Sequence, residues 1–330
     1  MDGLGLSLSK SPEADGVASG VSFRDRLRAL WHGYELAQPD IADLPFDDAP
    51  VRTDAGKPDG HEVSPVLEGP AGQDEIVWAR DRIDLAEKVW GDGFVLPGGE
   101  SHVHDLTASS RINAADTLLQ VGVGMGGDAA AIIGKFGNYV TAYESDDNLA
   151  EEAIKFAEAH GCGDKLKIDV CPVDQIDPKQ GYFRAAYMRE AMSAVETRDD
   201  VLKSVCESLK SGESHFILTD LFHDDPSASA ETKAWADGER TMVLPWNISS
   251  ARSTLESLGV ALRIVEDASD DYCAMVTTAW GKFLSQFGQQ KTSPEFGAVV
   301  ADEAAYWNRR VAAIQSGGLR YYKIMGTKYS

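Results

Sequence analysis

The chain has 330 residues, 43% of them hydrophobic and 25% charged, enough for one large α/β domain with an appendage or for two modest domains. Acidic residues outnumber basic ones 53 to 31, and the net charge of −22 disfavours nucleic-acid phosphates and anionic membrane surfaces, leaving a small molecule or a basic protein as partner. No apolar run approaches a membrane span, Met1-Asp2-Gly3 opens no secretory signal, and the four cysteines show no paired spacing, so a cytoplasmic protein with reduced thiols is expected.

Ser22 can cap a first helix whose apolar residues Phe23, Leu27, Leu30, Trp31 and Tyr34 share one face, with Arg24, Arg26 and Arg28 away from it. Such a helix either docks on its own chain or recruits a protein partner. Residues 38–73 turn to Pro, Asp, Gly and Glu with little apolar periodicity, the composition of a linker. The expected organisation is therefore an N-terminal extension over 1–74, an amphipathic helix plus a flexible acidic linker, followed by one domain over 75–330.

A helix is predicted at 75–90, stopped by Gly91-Asp92-Gly93. Beyond it strands and helices alternate: strand 117–121, helix 128–135, strand 139–143, helix 147–160, strands 165–171 and 183–188, helix 198–210 and strand 215–221. Repeated βα units of this length imply a parallel sheet with helices on both faces. The end departs from the repeat, with strand-like stretches at 260–265 and 319–325 separated by helical patterns at 272–287 and 301–315.

Gly122, Gly124 and Gly126 follow the first strand and open a helix, where the backbone turns tightly and comes close to a ligand. Glu144 ends the next strand, placed to accept hydrogen bonds from both ribose hydroxyls of an adenosine-containing ligand. Because Gly122, Gly124 and Gly127 also satisfy GxGxxG, these residues alone leave nicotinamide, flavin and plain helix–strand packing open.

The wider sequence narrows the choice. Trp90-Gly91-Asp92-Gly93-Phe94-Val95-Leu96-Pro97-Gly98-Gly99 resembles the segment that precedes the first strand in small-molecule methyltransferases of the phosphoethanolamine and sarcosine/dimethylglycine type. Leu118 to Gly127 is similar to their first motif and Val140-Thr141-Ala142-Tyr143-Glu144-Ser145 to their second. Met188-Arg189-Glu190-Ala191-Met192, Leu209-Lys210-Ser211-Gly212-Glu213, Ile217-Leu218-Thr219-Asp220 and residues 259–271 resemble later segments in the same order. The resemblance, covering about 75–328, implies a class I Rossmann-like α/β sheet, mostly parallel with the last strand antiparallel, and S-adenosylmethionine as cofactor.

It also implies a site. Gln120, Gly122, Gly124, Gly126, Glu144, Ser145, Cys171 and Met188 would hold the cofactor. Trp90, Phe94 and Trp246 would line the acceptor, an amine or similar nucleophile, and Tyr187, Arg189 and Glu190 would serve the chemistry. Several positions depart from the pattern. Gln120 replaces an acid, Cys171 stands for an adenine-contacting Asp with Asp169 and Asp174 nearby, Arg184 replaces an acid, and Ala194 falls where phospho-base enzymes place a His. Lys210-Ser211-Gly212-Glu213 softens a tight turn. The departures open a second expectation, a catalytically impaired binding or regulatory module. No metal site is expected, since His102 and His104 stand two apart on a helix and read as surface or cap histidines, and no GxSxG elbow supports a hydrolase.

Overall fold

Seven strands form one sheet in the order β3-β2-β1-β4-β5-β7-β6. They are β1 (Thr117–Val121), β2 (Tyr139–Glu144), β3 (Leu166–Val170), β4 (Ala185–Arg189), β5 (Ser214–Phe222), β6 (Val260–Asp267) and β7 (Arg320–Lys328). The structure is a computed structural model describing residues 77–287 and 292–329, all within the unit Gly72–Ser330. The helix read after Ser22 and the linker at 38–73 lie outside the described residues.

Strands β1 to β5 pair in parallel, whereas β7 runs antiparallel to both β5 and β6. The unusual C-terminal end of the sequence thus closes the sheet. Alternation along each strand sends neighbours to opposite faces. Leu118, Ala185, Tyr187 and Ile217 belong to one apolar layer with Ile132 and Ile133. Leu119, Val121, Met188, Phe216 and Leu218 belong to the other, with Leu202, Val205 and Leu255.

The helices are α1 (Arg80–Trp90), α2 (Gly99–Leu106), α3 (Gly127–Phe136), α4 (Asp147–Ala159), α5 (Arg198–Ser208), α6 (Ala230–Gly238), α7 (Ile248–Ser257), α8 (Ser269–Phe287) and α9 (Pro294–Gln315). Helices α2, α6 and α7, of eight to ten residues, were not legible as separate periodic segments. Helix α9 starts earlier than the predicted 301, because Ser293 caps it through Phe296 N–H and Pro294 occupies its first turn. Among the described residues no helix is long and apolar enough to cross a membrane.

Candidate active site

The parallel part of the sheet reverses its winding at β1, whose neighbours are β2 and β4. Ligands of open α/β sheets bind outside the carboxyl ends of the strands at such a switch point. All three loop glycines predicted from sequence stand there with left-handed backbones, Gly122 at φ 77°, Gly124 at 56° and Gly126 at 90°. L-residues reach this region only at a cost of roughly 1–2 kcal/mol each.

Glu144, at the end of β2, holds this loop in place. Its Oε2 accepts the Gly124 N–H at 2.8 Å, and its Oε1 accepts those of Ser145 and Asp146 at 2.9 and 3.1 Å. Burial raises the carboxyl above its ordinary range, opposed by those backbone N–H groups. The expected grip on both ribose hydroxyls is therefore corrected: Oε1 is filled by backbone, and one acceptor position remains, on Oε2. Gln120 supplies a second feature of the loop. Its side-chain amide donates to the Gly122 carbonyl at 3.2 Å, while its Oε1 is buried without a partner. An orphaned acceptor beside the loop fits a ligand ammonium.

The segment before α2 packs over the loop. Gly127 N–H donates to the Gly93 carbonyl at 2.8 Å, and a Cβ on Gly124 would fall 2.8 Å from Val95 Cγ2. Arg189 Nη2 donates to the Pro97 carbonyl. Phe94 is half-buried, its ring against the start of α3.

At the end of β4, residues 189–191 touch the same loop: a Cβ on Gly122 would lie 3.5 Å from Ala191 Cβ and 3.9 Å from the Arg189 carbonyl oxygen. Arg189 is buried and reaches Asp128 at 3.3 Å, and Tyr187 Oη donates to Asp128 at 2.8 Å. Burial opposes the Arg189 charge, but Asp128 together with Tyr187, Tyr321 and Glu190 more than offsets it and keeps the guanidinium protonated. Burial pushes the Tyr187 phenol well up, with Asp128 adding to it, so Tyr187 positions Asp128 rather than accepting a proton. Glu190 has a left-handed backbone, φ 49°, fixed by its N–H bond to the Thr219 carbonyl. Strain at a non-glycine residue concentrates where geometry serves a function. Its Oε2 accepts from Arg310 Nη1 at 2.8 Å and Tyr272 Oη at 3.2 Å.

Sequence reasoning missed the residues that surround Glu190. Arg310 of α9 also binds Glu239 at 2.9 Å, and Tyr306 and Trp235 donate to Glu239 as well. A usable signal was present, because Tyr306, Trp307, Arg310, Val311 and Ile314 form one buried face in which a lone arginine needs a carboxylate. Asp128, the first-turn acid right after the glycines, was equally readable.

Other predicted residues stand elsewhere. Trp90 is packed between Trp307 and Trp280, with ring centroids 4.6 and 6.5 Å away, and is corrected from acceptor wall to core. Trp246 is likewise buried, its ring tilted against Phe222 with centroids 4.4 Å apart, and Met188 is fully enclosed in the sheet layer. Both bury apolar area that a polar crevice could not. Cys171 remains close to the loop, its N–H bonded to the Glu144 carbonyl at 2.9 Å, whereas Ser145 is exposed. Asp169 pairs with Lys167 at 2.7 Å and Asp174 is exposed. His102, expected at the surface, is half-buried beside Arg189, and burial lowers its imidazole to about 3, leaving it neutral. His104 stands 3.6 Å from Glu100, and among the described residues no group of side chains could hold a metal.

Two departures turn out to lie far from the glycine loop. Arg184 precedes β4 at the amino-terminal end of the parallel strands, where it donates to the Gly212 carbonyl at 2.7 Å and braces the 210–213 turn. A shallow depression lined by Ala115, Thr117, Tyr139, Lys165 and Tyr182 lies at the same end of the strands, away from the switch point.

Comparison with solved structures decides the fold. Phosphoethanolamine N-methyltransferase 2 of Haemonchus contortus, in complex with phosphomonomethylethanolamine and S-adenosylhomocysteine, superposes with a TM-score of 0.66 at 16% identity, over 76% of this chain and 59% of that one. The fold is that of the class I methyltransferases. A sequence relative, phosphoethanolamine N-methyltransferase 1 of Zea mays, is 22% identical over 253 residues, 74% of this chain. Sterol 24-C-methyltransferase erg6 of Aspergillus fumigatus is 26% identical over 246 residues, 69% of this chain and 63% of that protein. The methyltransferase-fold chain spans about half the length of the plant relative it matches, 49%. No family model matches the sequence.

Proposed function

We propose that the chain transfers a methyl group from S-adenosylmethionine to a small-molecule amine. The observation that carries this reading is the hydrogen bond from Gly124 N–H to Glu144 Oε2, which fixes the glycine loop at the switch point of a methyltransferase-type sheet. When bound, the cofactor supplies an electrophilic methyl carbon on a cationic sulfur. The free acceptor position of Glu144 Oε2 holds a ribose hydroxyl, Gln120 Oε1 receives the amino-acid ammonium, and Cys171 and Ser145 flank the adenine side. Gly122, Gly124 and Gly126 let the backbone approach without a Cβ in the way.

Toward the acceptor, Asp128 and Tyr187 hold Arg189 rigid beneath the end of β4, and Arg310 and Tyr272 orient Glu190. Fixed orientation of the nucleophile contributes several kcal/mol to such a displacement. Packing of Gly93, Val95 and Pro97 over the loop excludes water from it. A cytoplasmic location and a small acceptor rather than nucleic acid fit the net charge of −22. Residues 1–74 are proposed as a separate extension whose helix docks on the catalytic unit or recruits a protein partner.

Isothermal titration with S-adenosylmethionine and S-adenosylhomocysteine tests the reading, together with radiolabelled methyl transfer to an amine panel. Binding of both ligands and turnover are expected. Absence of binding by either at millimolar concentration removes it, and tight binding with no turnover on any acceptor favours an impaired binding module instead.

A further inference from the structure

Four polar atoms meet without partners near the carboxyl ends of β4 and β5. They are Arg189 Nε, Thr219 Oγ1, Tyr321 Oη and Glu190 Oε1, each buried and each lacking a hydrogen bond. A buried donor or acceptor left unmade is costly, and a fold keeps several together where a further group completes them.

The sheet brings them to one place. Arg189 and Thr219 stand opposite each other on β4 and β5, and Tyr321 of β7 pairs with Leu221, two residues beyond Thr219, so the three side chains leave the same face. Glu190 follows Arg189, its N–H bonded to the Thr219 carbonyl at 2.8 Å and its Oε2 taken by Arg310 and Tyr272. The Tyr272 ring lies 4.3 Å from that of Tyr321. Burial raises the Tyr321 phenol to about 12, with Arg189 and Thr219 opposing and Glu190 adding, so all three act on it at close range and it keeps its proton. The other terminal nitrogens of Arg189 are used on Asp128 and on the Pro97 carbonyl, which leaves Nε free.

The same place borders the cofactor loop. The Arg189 carbonyl oxygen and Ala191 Cβ are the neighbours that a Cβ on Gly122 would meet, and Pro97 belongs to the segment packed over the loop.

The inventory of donors and acceptors selects a ligand group. Arg189 Nε–H only donates and a carboxylate Oε1 on Glu190 only accepts, whereas the Thr219 and Tyr321 hydroxyls do either. An oxygen that only accepts, as in a carboxylate or a phosphate, answers Arg189 but sets a second acceptor against Glu190. A hydroxyl answers both.

Resting on the methyl-transfer reading, we propose that the acceptor amine carries a hydroxyl, bound in a subsite made by Thr219, Tyr321 and Arg189 Nε. Thr219 and Tyr321 then set specificity, favouring an amino alcohol over an alkylamine of the same shape. A site built to hydrogen-bond a substrate hydroxyl rejects the analogue lacking it, because its own buried polar groups are left unpaired.

The test is calorimetric titration of the full chain in the presence of S-adenosylhomocysteine, using N-methylethanolamine and N-methylpropylamine, which differ only by a hydroxyl in place of a methyl group. N-methylethanolamine is expected to bind at least about tenfold more tightly, a difference of roughly 1.4 kcal/mol. Thr219→Val and Tyr321→Phe should each bring that ratio to about threefold or less, with affinities for N-methylpropylamine and S-adenosylhomocysteine held within about threefold. Equal binding of the two amines by the unaltered chain overturns the proposal, and so does a ratio that survives both substitutions. Tighter binding of sarcosine or phosphomonomethylethanolamine than of N-methylethanolamine overturns it in favour of an anionic oxygen, and no binding of N-methylethanolamine at tens of millimolar overturns it outright. The comparison of the two amines is made on the unaltered chain and stands even where a variant fails to fold. Absence of S-adenosylhomocysteine binding is read in its own titration and overturns the methyltransferase reading instead.

Discussion

Glu144→Gln isolates the contact that holds the glycine loop. The amide oxygen can keep the Ser145 and Asp146 N–H groups at the Oε1 position, but the new NH2 then faces the Gly124 N–H that Oε2 now accepts at 2.8 Å. One charge-assisted hydrogen bond is lost and two donors are buried against each other, a cost of about 2–4 kcal/mol. In a unit of this size that lowers Tm by roughly 5–12 °C. The same substitution leaves a ribose hydroxyl without its charged acceptor, so affinity for S-adenosylhomocysteine should fall by roughly 10–100-fold. Thermal melts and calorimetric titration read the two effects separately. A variant that melts with the native chain and binds within threefold of it (~0.6 kcal/mol) would refute the role given to Glu144.

Gly124→Ala forces a left-handed alanine and presses a Cβ onto Val95, from 2.8 Å, so a loss of about 1–3 kcal/mol is expected; Val95→Ala in the same chain should recover part of it in a double-mutant cycle. Trp90→Ala empties the space between Trp307 and Trp280 and should cost about 3–5 kcal/mol while cofactor affinity holds; a tenfold affinity loss with little destabilisation would return Trp90 to the acceptor wall. Burial raises Asp220 to about 7 from 3.8, against the Met192 and Leu221 N–H groups. The folded chain therefore keeps a proton that the unfolded chain releases, so this contribution is full below about pH 4 and is lost as pH rises through about 7, on the order of 4 kcal/mol in all. Denaturant titrations across that range should show Asp220→Asn gaining on the native chain as pH rises, and a constant difference would contradict the buried-acid account.

The βα alternation and the glycine turn were legible because both are local. Short apolar runs mark β1, β2 and β5, and glycine is the residue that adopts the φ values found at 122, 124 and 126 without strain. Ser293 and Pro294 carried a start signal for α9 that its later apolar pattern obscured. The acceptor side was harder to read. Trp90 and Trp246 looked like ligand-facing aromatics, and nothing local distinguishes a ring that packs on Trp307 or Phe222 from one that faces a crevice.

The sequence by itself determined the order of the strands and of the helices other than α2, α6 and α7, the glycine loop and its acidic partner Glu144, since each depends on residues close in the chain or on a regular spacing. Only the tertiary structure decided how Glu144 spends its oxygens, that Arg184 braces the 210–213 turn at the amino-terminal end of the strands, and that Arg310 divides itself between Glu190 and Glu239. Arg310 and Glu190 are 120 residues apart in sequence. Whether a buried charge is matched or left over depends on which distant elements meet, and spacing along the chain does not carry that information.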